Sequence, residues 1–294
     1  MTSYGLEKGV AIRMPSTANL MVSSYDKTGG LGTTAGDFGI AQKQSLMNGF
    51  FTRLAATELA INWSVFDVSS TLGNDQVVVD ISGVGLQTIF LGDGCYTCAE
   101  ILDSFILLFN AQSGGGRSMA VTSTGQIVTL ALTGGSFRFP AAGNNLIDRL
   151  GFPLGGAYAL SKTASTSPTI GLGPAEQVQP ILYLDFVSQQ LTYNQDLKDG
   201  STDAYNRDVL LRFYMNFDND MLQVDKYGYA IRMGMKPFYI RRTYSPPKQI
   251  RWEPNQPLGQ LTFQVWATYA DGTATQILDD NQYNWLMTLQ VSEV

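Results

Sequence analysis

Two cysteines three positions apart are the residues whose type and spacing most directly suggest chemistry. Cys95 and Cys98 form a Cys-x-x-Cys pair within GDGCYTCAEI, after an apolar segment and at the start of a helical pattern. Such a pair carries dithiol–disulfide exchange in thioredoxin-type proteins. The Trp-Cys-Gly-Pro-Cys surroundings of those proteins are missing, and no third cysteine exists to complete a zinc site. Because Thr97 and Glu100 stand at capping-box spacing, we interpret the segment as the start of a helix.

Histidine is absent from the 294 residues. This absence excludes Ser-His-Asp and Cys-His nucleophile systems, His-ligated zinc and the usual neutral-pH general base. A glycosidase would need two facing carboxylates about 5–10 Å apart, and no spacing of Asp or Glu indicates such a pair. We therefore expect a protein that is not an enzyme, with no catalytic, cofactor-binding or metal-binding residues.

Two further segments contain residues of the types found at ligand sites. The run TGGLGTTAGDFG, residues 28–39, is glycine-rich but lacks the Gly-Lys-Ser/Thr ending of a phosphate-binding loop, which favours a flexible arm. Asp218, Asp220 and Asp225 could bind calcium, but the EF-hand spacing and its closing glutamate are absent. A polar loop between strands is the favoured interpretation of the three aspartates.

The one basic cluster lies near the C-terminal third of the chain and is interleaved with aromatic residues. Its basic members are Arg241, Arg242, Lys248 and Arg251. A nucleic-acid patch would fit this composition, but the whole chain has a net charge of −6 and a pI near 4.7. A partner contact or a solvated strand face is favoured, and direct nucleic-acid binding is not expected.

The composition indicates a surface that is poor in charge. Charged residues make up 15% of the chain, compared with about 25% in ordinary soluble domains. Such a surface is covered by neutral polar residues or buried against other chains, so both a neutral soluble protein and an assembly subunit fit. The sequence shows no signal peptide, no apolar run of membrane-spanning length and no N-terminal myristoylation pattern, which predicts a soluble protein made inside a cell.

The first 174 residues are expected to contain irregular stretches and one compact unit of strands and helices. Residues 1–45 are expected to be irregular, and residues 86–151 follow the order β-α-β-β-α. In that unit, a helix is predicted over CAEILDSFILLFNA, and a hairpin that turns at Thr124-Gly125 is predicted over SMAVTSTGQIVTLAL. A short helix is predicted over NNLIDRLGF, capped by Asn144 or Asn145 and ending at Gly151. A loop over 155–174, rich in Gly, Ser, Thr and Pro, marks a boundary.

Beyond this loop the pattern indicates strands alone. Apolar residues alternate over 209–217, over 261–269 up to the Asp271-Gly272 turn, and over 285–291. Long alternating strands with wide connections predict a two-sheet sandwich of the jelly-roll type. The segment NGFFTRLAATELAINW, residues 48–63, carries both helical spacing and a terminal alternation at Ile61, Trp63 and Val65, so its local signal leaves helix and strand open.

In combination and order, these segments resemble the penton (minor capsid) proteins of virophages and polinton-like viruses. The resemblance covers roughly residues 45–294. It rests on the Arg-containing apolar segment ending at Trp63, the Gly94-Cys95-Tyr96-Thr97 helix start, the closing Leu150-Gly151-Phe152, and the terminal block PKQIRWEPNQPLGQLTFQVWATYADG.

The resemblance implies a structural protein of the virion that forms the pentameric vertex of an icosahedral capsid. It would work as a homopentamer whose partners are major capsid protein capsomers, and it would be assembled inside the host cell. An all-β jelly-roll base (46–81 and 176–294) would carry an inserted projecting α/β domain (82–175), after an N-terminal arm (1–45). Residues 48–63 would then be a strand. The alternative is a spike or lectin-like jelly-roll module that binds host glycans.

Overall fold

The protein is mostly β, and its sheets are antiparallel. The computed structural model describes residues 17–28, 32–41, 51–166, 181–192, 209–215, 223–231, 236–251, 259–269, 272–277 and 282–292. The strands are Thr17–Ser23 (β1), Gly32–Thr34 (β2), Asp37–Ala41 (β3), Arg53–Trp63 (β4), Gln76–Ile81 (β5), Gly85–Phe90 (β6), Ser118–Thr124 (β7), Ile127–Thr133 (β8), Phe137–Arg138 (β9), Ser161–Ser165 (β10), Ile181–Val187 (β11), Val209–Tyr214 (β12), Gln223–Val224 (β13), Ala230–Ile231 (β14), Phe238–Thr243 (β15), Gln249–Arg251 (β16), Gln260–Tyr269 (β17), Ala274–Gln276 (β18) and Tyr283–Ser292 (β19). The helices are Cys98–Gln112 (α1), Asn145–Arg149 (α2) and Gln189–Thr192 (α3).

Two antiparallel sheets share the larger hydrophobic core. The first has the order β1-β19-β4-β15, with β16 also paired to β4, and the second has the order β12-β11-β17-β3-β2, with β18 on β17. Trp285 lies between them: its ring contacts Phe38, Phe186 and Phe263 of the second sheet at centroid distances of 5.2–5.7 Å, and its indole N–H donates to the carbonyl of Ala35. The alternation of β17 and β19 therefore directs one face of each strand into this core.

Within the segment that left helix and strand open, residues 53–63 form a strand, as the resemblance implied. β4 pairs with β19 on one side, and with β15 and β16 on the other. Ile61 and Trp63 are fully buried in the shared core. A central position between long strands supplies hydrogen bonds and apolar cover that outweigh the helical preference of its Ala and Leu residues.

The prediction of an irregular arm over residues 1–45 is wrong for residues 17–23 and 32–41. β1 pairs along its whole length with β19, and β3 pairs with β17. Val22 and Phe38 are buried in the shared core. The glycine-rich run could not reveal this because the partners of both strands lie more than 200 residues away in the chain. Residues 1–16 and 42–45 lie outside the described part.

A second hydrophobic cluster surrounds α1. It contains side chains from β5 to β10 and from both α1 and α2. The predicted hairpin over β7 and β8, the helix α1 and the stop of α2 at Gly151, whose φ is +84°, are all confirmed. β5 differs from expectation: it was assigned to the base within 46–81, but its Val77 and Val79 belong to this second cluster. Its partner β6 holds it there.

The predicted side-chain cap of α2 is wrong. Asn144 occupies the position before the helix, but its side chain makes no capping hydrogen bond. Its amide instead pairs with the main chain of β5, where Oδ1 accepts from the N–H of Val78 and Nδ2 donates to the carbonyl of Val78, both at 2.8 Å. Asn144 is buried, and these bonds satisfy its polar atoms while joining α2 to the neighbouring strand.

Candidate functional site

The Cys-x-x-Cys pair lies at the start of α1, and the two cysteines are not joined by a disulfide. Thr97 caps the helix in a reciprocal capping box with Glu100, as the sequence predicted. Cys98 is buried, and the Cys95 thiol points to the carbonyl of Val65 at 3.3 Å. Burial, together with the nearby Asp67 carboxylate, raises the pKa of Cys95 to about 11. A redox pair needs a thiol whose pKa is lowered, so this environment is the reverse of the one that disulfide exchange requires.

Replacing both cysteines with alanine is expected to leave the fold intact. The double variant should unfold in urea with a loss of stability below about 1 kcal/mol, because the two cysteines form no disulfide. The matched comparison is Thr97→Ala, which removes the capping box and should lower the free energy of unfolding by about 1–2 kcal/mol. A double variant that lost cooperative unfolding, while Thr97→Ala kept it, would restore a role for the cysteine pair.

Asp67 lies beside this pair, between β4 and the start of α1. Its side chain is fully buried; Oδ1 accepts from the main-chain N–H of Tyr96 at 2.9 Å, while Oδ2 is buried with no hydrogen-bond partner among the described residues. Burial raises the pKa of Asp67 to about 7, although the Tyr96 hydrogen bond and the charge of Lys236 act in the opposite direction. Asp67 is thus a buried carboxyl that changes protonation near neutral pH.

Lys236 connects the same region to the C-terminal half of the chain. Its ammonium group contacts both carboxylate oxygens of Glu100 at 2.5 Å. Burial alone would raise the pKa of Glu100, but hydrogen bonds from Lys236 and Thr97 lower it below its usual range. Glu100 therefore closes the capping box and pairs with Lys236 at the same time, so the start of α1 is tied to the segment that precedes β15.

Asp225, one of the three aspartates considered for calcium, caps α1 from outside the helix. Its carboxylate accepts from the main-chain N–H groups of Ala99, Tyr227 and Tyr229 at 2.8–3.0 Å. Asp218 and Asp220 lie outside the described residues. Within the described ranges, no group of three His, Cys, Asp or Glu side chains could hold a metal ion. In this arrangement, the carboxylate satisfies one N–H group at the helix start and two N–H groups of its own hairpin.

The hairpin of β13 and β14 docks on the second cluster through its two tyrosines. Tyr229 is buried there, and its hydroxyl donates to the carbonyl of Leu150 at 2.9 Å. The Tyr227 hydroxyl donates to Asp103 of α1 at 2.7 Å, and Lys226 forms an ion pair with the same carboxylate. A segment lying between strands β12 and β15, both of which pack on the larger core, thus holds α1 in place.

The basic cluster is divided by the strand geometry. Arg241 points outward from β15 and forms an ion pair with Glu58 of β4, whereas Arg242 points the other way and lies over the ring of Phe213 at 4.8 Å. Lys248 donates to the main-chain carbonyl of Val209. Arg251 lies on the separate short strand β16. These side chains do not form one continuous positive surface.

The outer face of the first sheet carries exposed apolar side chains among uncharged polar ones. Met21 is 67% exposed, Leu286 39% and Tyr239 71%. Cross-strand registers place Met21 beside Thr288 and Leu286 beside Ala60. The Glu58–Arg241 ion pair neutralises the charges on this part of the face. This part of the face therefore combines exposed apolar and uncharged polar side chains with one ion pair, a composition that suits a contact with another protein.

The sequence analysis did not identify Asp67, Lys236 and the two tyrosines of the β13–β14 hairpin. A lone aspartate after a strand and a lysine before one carry no motif, and their significance depends on contacts between distant segments. Asp225 lies in the turn between β13 and β14, in line with the favoured interpretation as a polar loop between strands, but its contact with α1 was not foreseen. None of the helices in the described residues is long and apolar enough to cross a membrane.

Comparison with known proteins gives remote structural likenesses. No protein-family model and no curated protein matches the chain. Among solved structures, the chain is similar to the mavirus penton protein, with a TM-score of 0.48 and 10% identity over 96% of this chain and 100% of that one. It is also similar to a chain of the Sputnik virophage structure determined by cryo-EM, with a TM-score of 0.44 and 9% identity over 94% and 97% of the two chains. These likenesses agree with the resemblance to virophage penton proteins that the sequence indicated.

Proposed function

We propose that the chain is a structural protein of a viral capsid, located in the virion, which forms the pentameric vertex of an icosahedral shell. The observation that carries the proposal is the outer face of the first sheet, where Met21, Leu286 and Tyr239 are exposed and the charges of Glu58 and Arg241 are paired with each other. The charge-poor composition of the chain and the sequence resemblance support the same role. Its partners are then further copies of itself and the neighbouring major capsid protein capsomers.

In this proposal the two sheets around the larger core are a jelly-roll base, and the unit around α1 is an inserted, projecting domain. The separate hydrophobic clusters support the division. The inserted unit begins near Val68, where the second cluster begins in the chain, rather than at residue 82. Two hydrogen bonds, one between Asp225 and Ala99 and one between Tyr229 and Leu150, hold this unit against the base.

The oligomeric state tests the vertex role. Purified protein is expected to form five-fold rings in negative-stain images, with a mass in solution five times that of the 32.1 kDa chain. Closed rings need a heterologous contact, so Asp substitution at both Met21 and Tyr239 should shift the protein toward monomers. The matched control is Leu160→Asp, since Leu160 is 69% exposed but lies in the inserted unit. A monomer that binds glycans would contradict the proposal and favour the lectin-like alternative.

Excision of the inserted unit tests the division. All four tryptophans lie outside residues 67–166, so their fluorescence reports only on the base. Replacing 67–166 by a Gly-Ser linker, with Tyr227 and Tyr229 changed to serine, is expected to preserve cooperative tryptophan-detected unfolding. Replacing only 82–175 should instead cause aggregation, because the apolar side chains of β5 lose their cover. Loss of cooperative unfolding in both variants would mean that the two clusters fold as one unit.

A further inference from the structure

The strand β6 has a main-chain edge that is open in the described part of the chain. β6 is the outer strand of the sheet β6-β5-β9. The N–H of Leu91 donates to the carbonyl of Asp75, and in an antiparallel pair the hydrogen-bonded positions alternate. By the observed register, Ile89 and Gln87 exchange bonds with β5, so the main-chain groups of Leu86, Thr88 and Phe90 face away from it. Among the described residues, nothing pairs with them.

The opposite end of the same unit shows how an edge is protected in this fold. Mutual main-chain bonds between Phe137 and Ala159 connect the sheet of β6 to the sheet β10-β8-β7, so β6 and β7 are the two outer strands. On β7, the side-chain amide of Asn110 from α1 accepts from the N–H of Met119 at 2.6 Å and donates to its carbonyl at 2.9 Å. The edge of β7 is therefore partly satisfied from within the chain, and that of β6 is not.

The side chains of β6 also lack the usual protection of an edge strand. Such strands commonly carry charged residues or proline, which prevent pairing with another chain. The sequence of β6, GLQTIF, contains neither, and Leu86 and Phe90 are 68% and 60% exposed. Leu86 and Phe90 stand four positions apart on the same face of the strand. An extended partner would therefore meet them with alternate residues of its own.

The charges around β6 differ at its two ends. At the Leu86 end, Asp80 is neutralised by Arg138 at 2.8 Å. At the Phe90 end, Asp75 and Asp93 have no basic partner among the described residues. A second copy paired antiparallel would bring its residues 82–85, Ser-Gly-Val-Gly, to this end, and these supply no positive charge. Charge complementarity thus favours a different partner with a basic side chain there.

We propose that β6 accepts an extended segment of a partner protein, which adds to the sheet as a further strand. The segment carries apolar side chains at alternate positions over Leu86 and Phe90, and Lys or Arg at the Phe90 end. Main-chain hydrogen bonds to Leu86, Thr88 and Phe90 give the affinity, and the side chains give the selectivity. This surface is independent of the proposed vertex role, since the contacts of the first sheet are not involved.

Peptide binding to the full chain tests the proposal. The probes are fluorescein-labelled nonapeptides in which Val, Leu and Phe alternate with Thr and two Lys stand at the N-terminal or C-terminal end, measured by fluorescence anisotropy. One of the two should bind, and its alternately N-methylated form should bind at least about tenfold more weakly, since it loses the main-chain bonds. Exchanging Lys for Glu should also weaken binding.

Protein variants locate the site. Thr88→Pro removes the central donor without breaking a bond to β5, and Phe90→Lys leaves the main chain unchanged; each should weaken binding by about tenfold or more. Ser123→Pro, at the equivalent edge position of β7, is the matched control and should bind as the wild type does. Equal binding of the methylated peptide, unchanged binding by Thr88→Pro, or no binding by either probe would overturn the proposal. Self-association abolished by Thr88→Pro would overturn it in favour of a second copy.

Discussion

Deletion of residues 1–40 is expected to prevent the two-sheet core from folding. The deletion removes β1 from the edge of the first sheet, and it removes β2 and all but the last residue of β3 from the second. Val22 and Phe38 leave the core with them, and Phe38 contacts both Phe263 and Trp285. Loss of one buried phenylalanine alone costs about 3–5 kcal/mol, and whole domains are stable by only about 5–15 kcal/mol.

The measurement is the tryptophan-detected unfolding transition of the purified variants. The 1–40 deletion should show no cooperative transition, and the single substitution Phe38→Ala should lower the free energy of unfolding by about 3–5 kcal/mol. Deletion of residues 1–16 is the matched control, because it leaves every described strand in place. A folded 1–40 deletion with a normal transition would restore the interpretation of this segment as an irregular arm outside the core.

Asp67→Asn is expected to make the protein more stable at pH 8 and to remove a pH dependence between about pH 4 and 7. The carboxyl is fully buried, one of its oxygens has no partner among the described residues, and burial raises its pKa from 3.8 to about 7. Asparagine can still accept the hydrogen bond from the N–H of Tyr96, but it cannot ionise. The variant therefore keeps the contact without the buried negative charge.

The sign of the effect follows from the two states of Asp67. In the unfolded chain the carboxyl ionises near its usual pKa of 3.8, whereas in the folded chain it stays protonated up to about pH 7. The stability associated with the neutral group is therefore complete below about pH 4, decreases as the pH rises, and is lost above about pH 7. At about 1.4 kcal/mol for each pH unit of difference, the loss is on the order of 4 kcal/mol.

The measurement is urea unfolding of wild type and Asp67→Asn at several pH values between 5 and 8. The difference between the two proteins should change with pH, since every other titrating group is common to both. A pH-independent difference between wild type and Asp67→Asn would show that Asp67 is ionised throughout or is not buried in solution.

Local signals in the sequence were sufficient for the elements whose partners lie close in the chain. The capping box of Thr97 and Glu100, the apolar face of α1 and the β7–β8 hairpin were all predicted correctly. The alternation of apolar and polar residues was also sufficient to predict the strands β12, β17 and β19. A strand with one buried face shows a period of two residues whichever strand it pairs with. These features follow from contacts within about 15 residues, or from burial alone.

The tertiary structure decided everything that depends on distant partners. β1 and β3 are strands because β19 and β17 supply their hydrogen bonds, and no local pattern in a glycine-rich segment records those partners. Asp225 accepts a hydrogen bond from the start of a helix 126 residues away, and Asn144 satisfies a strand rather than its own helix. Likewise, Asp67 is buried where the segment after β4 meets the residues before α1, at the hydrogen bond from the N–H of Tyr96. A carboxylate binds whichever donors the fold brings to it, and burial sets its pKa, so residue type alone could not determine the role of these side chains.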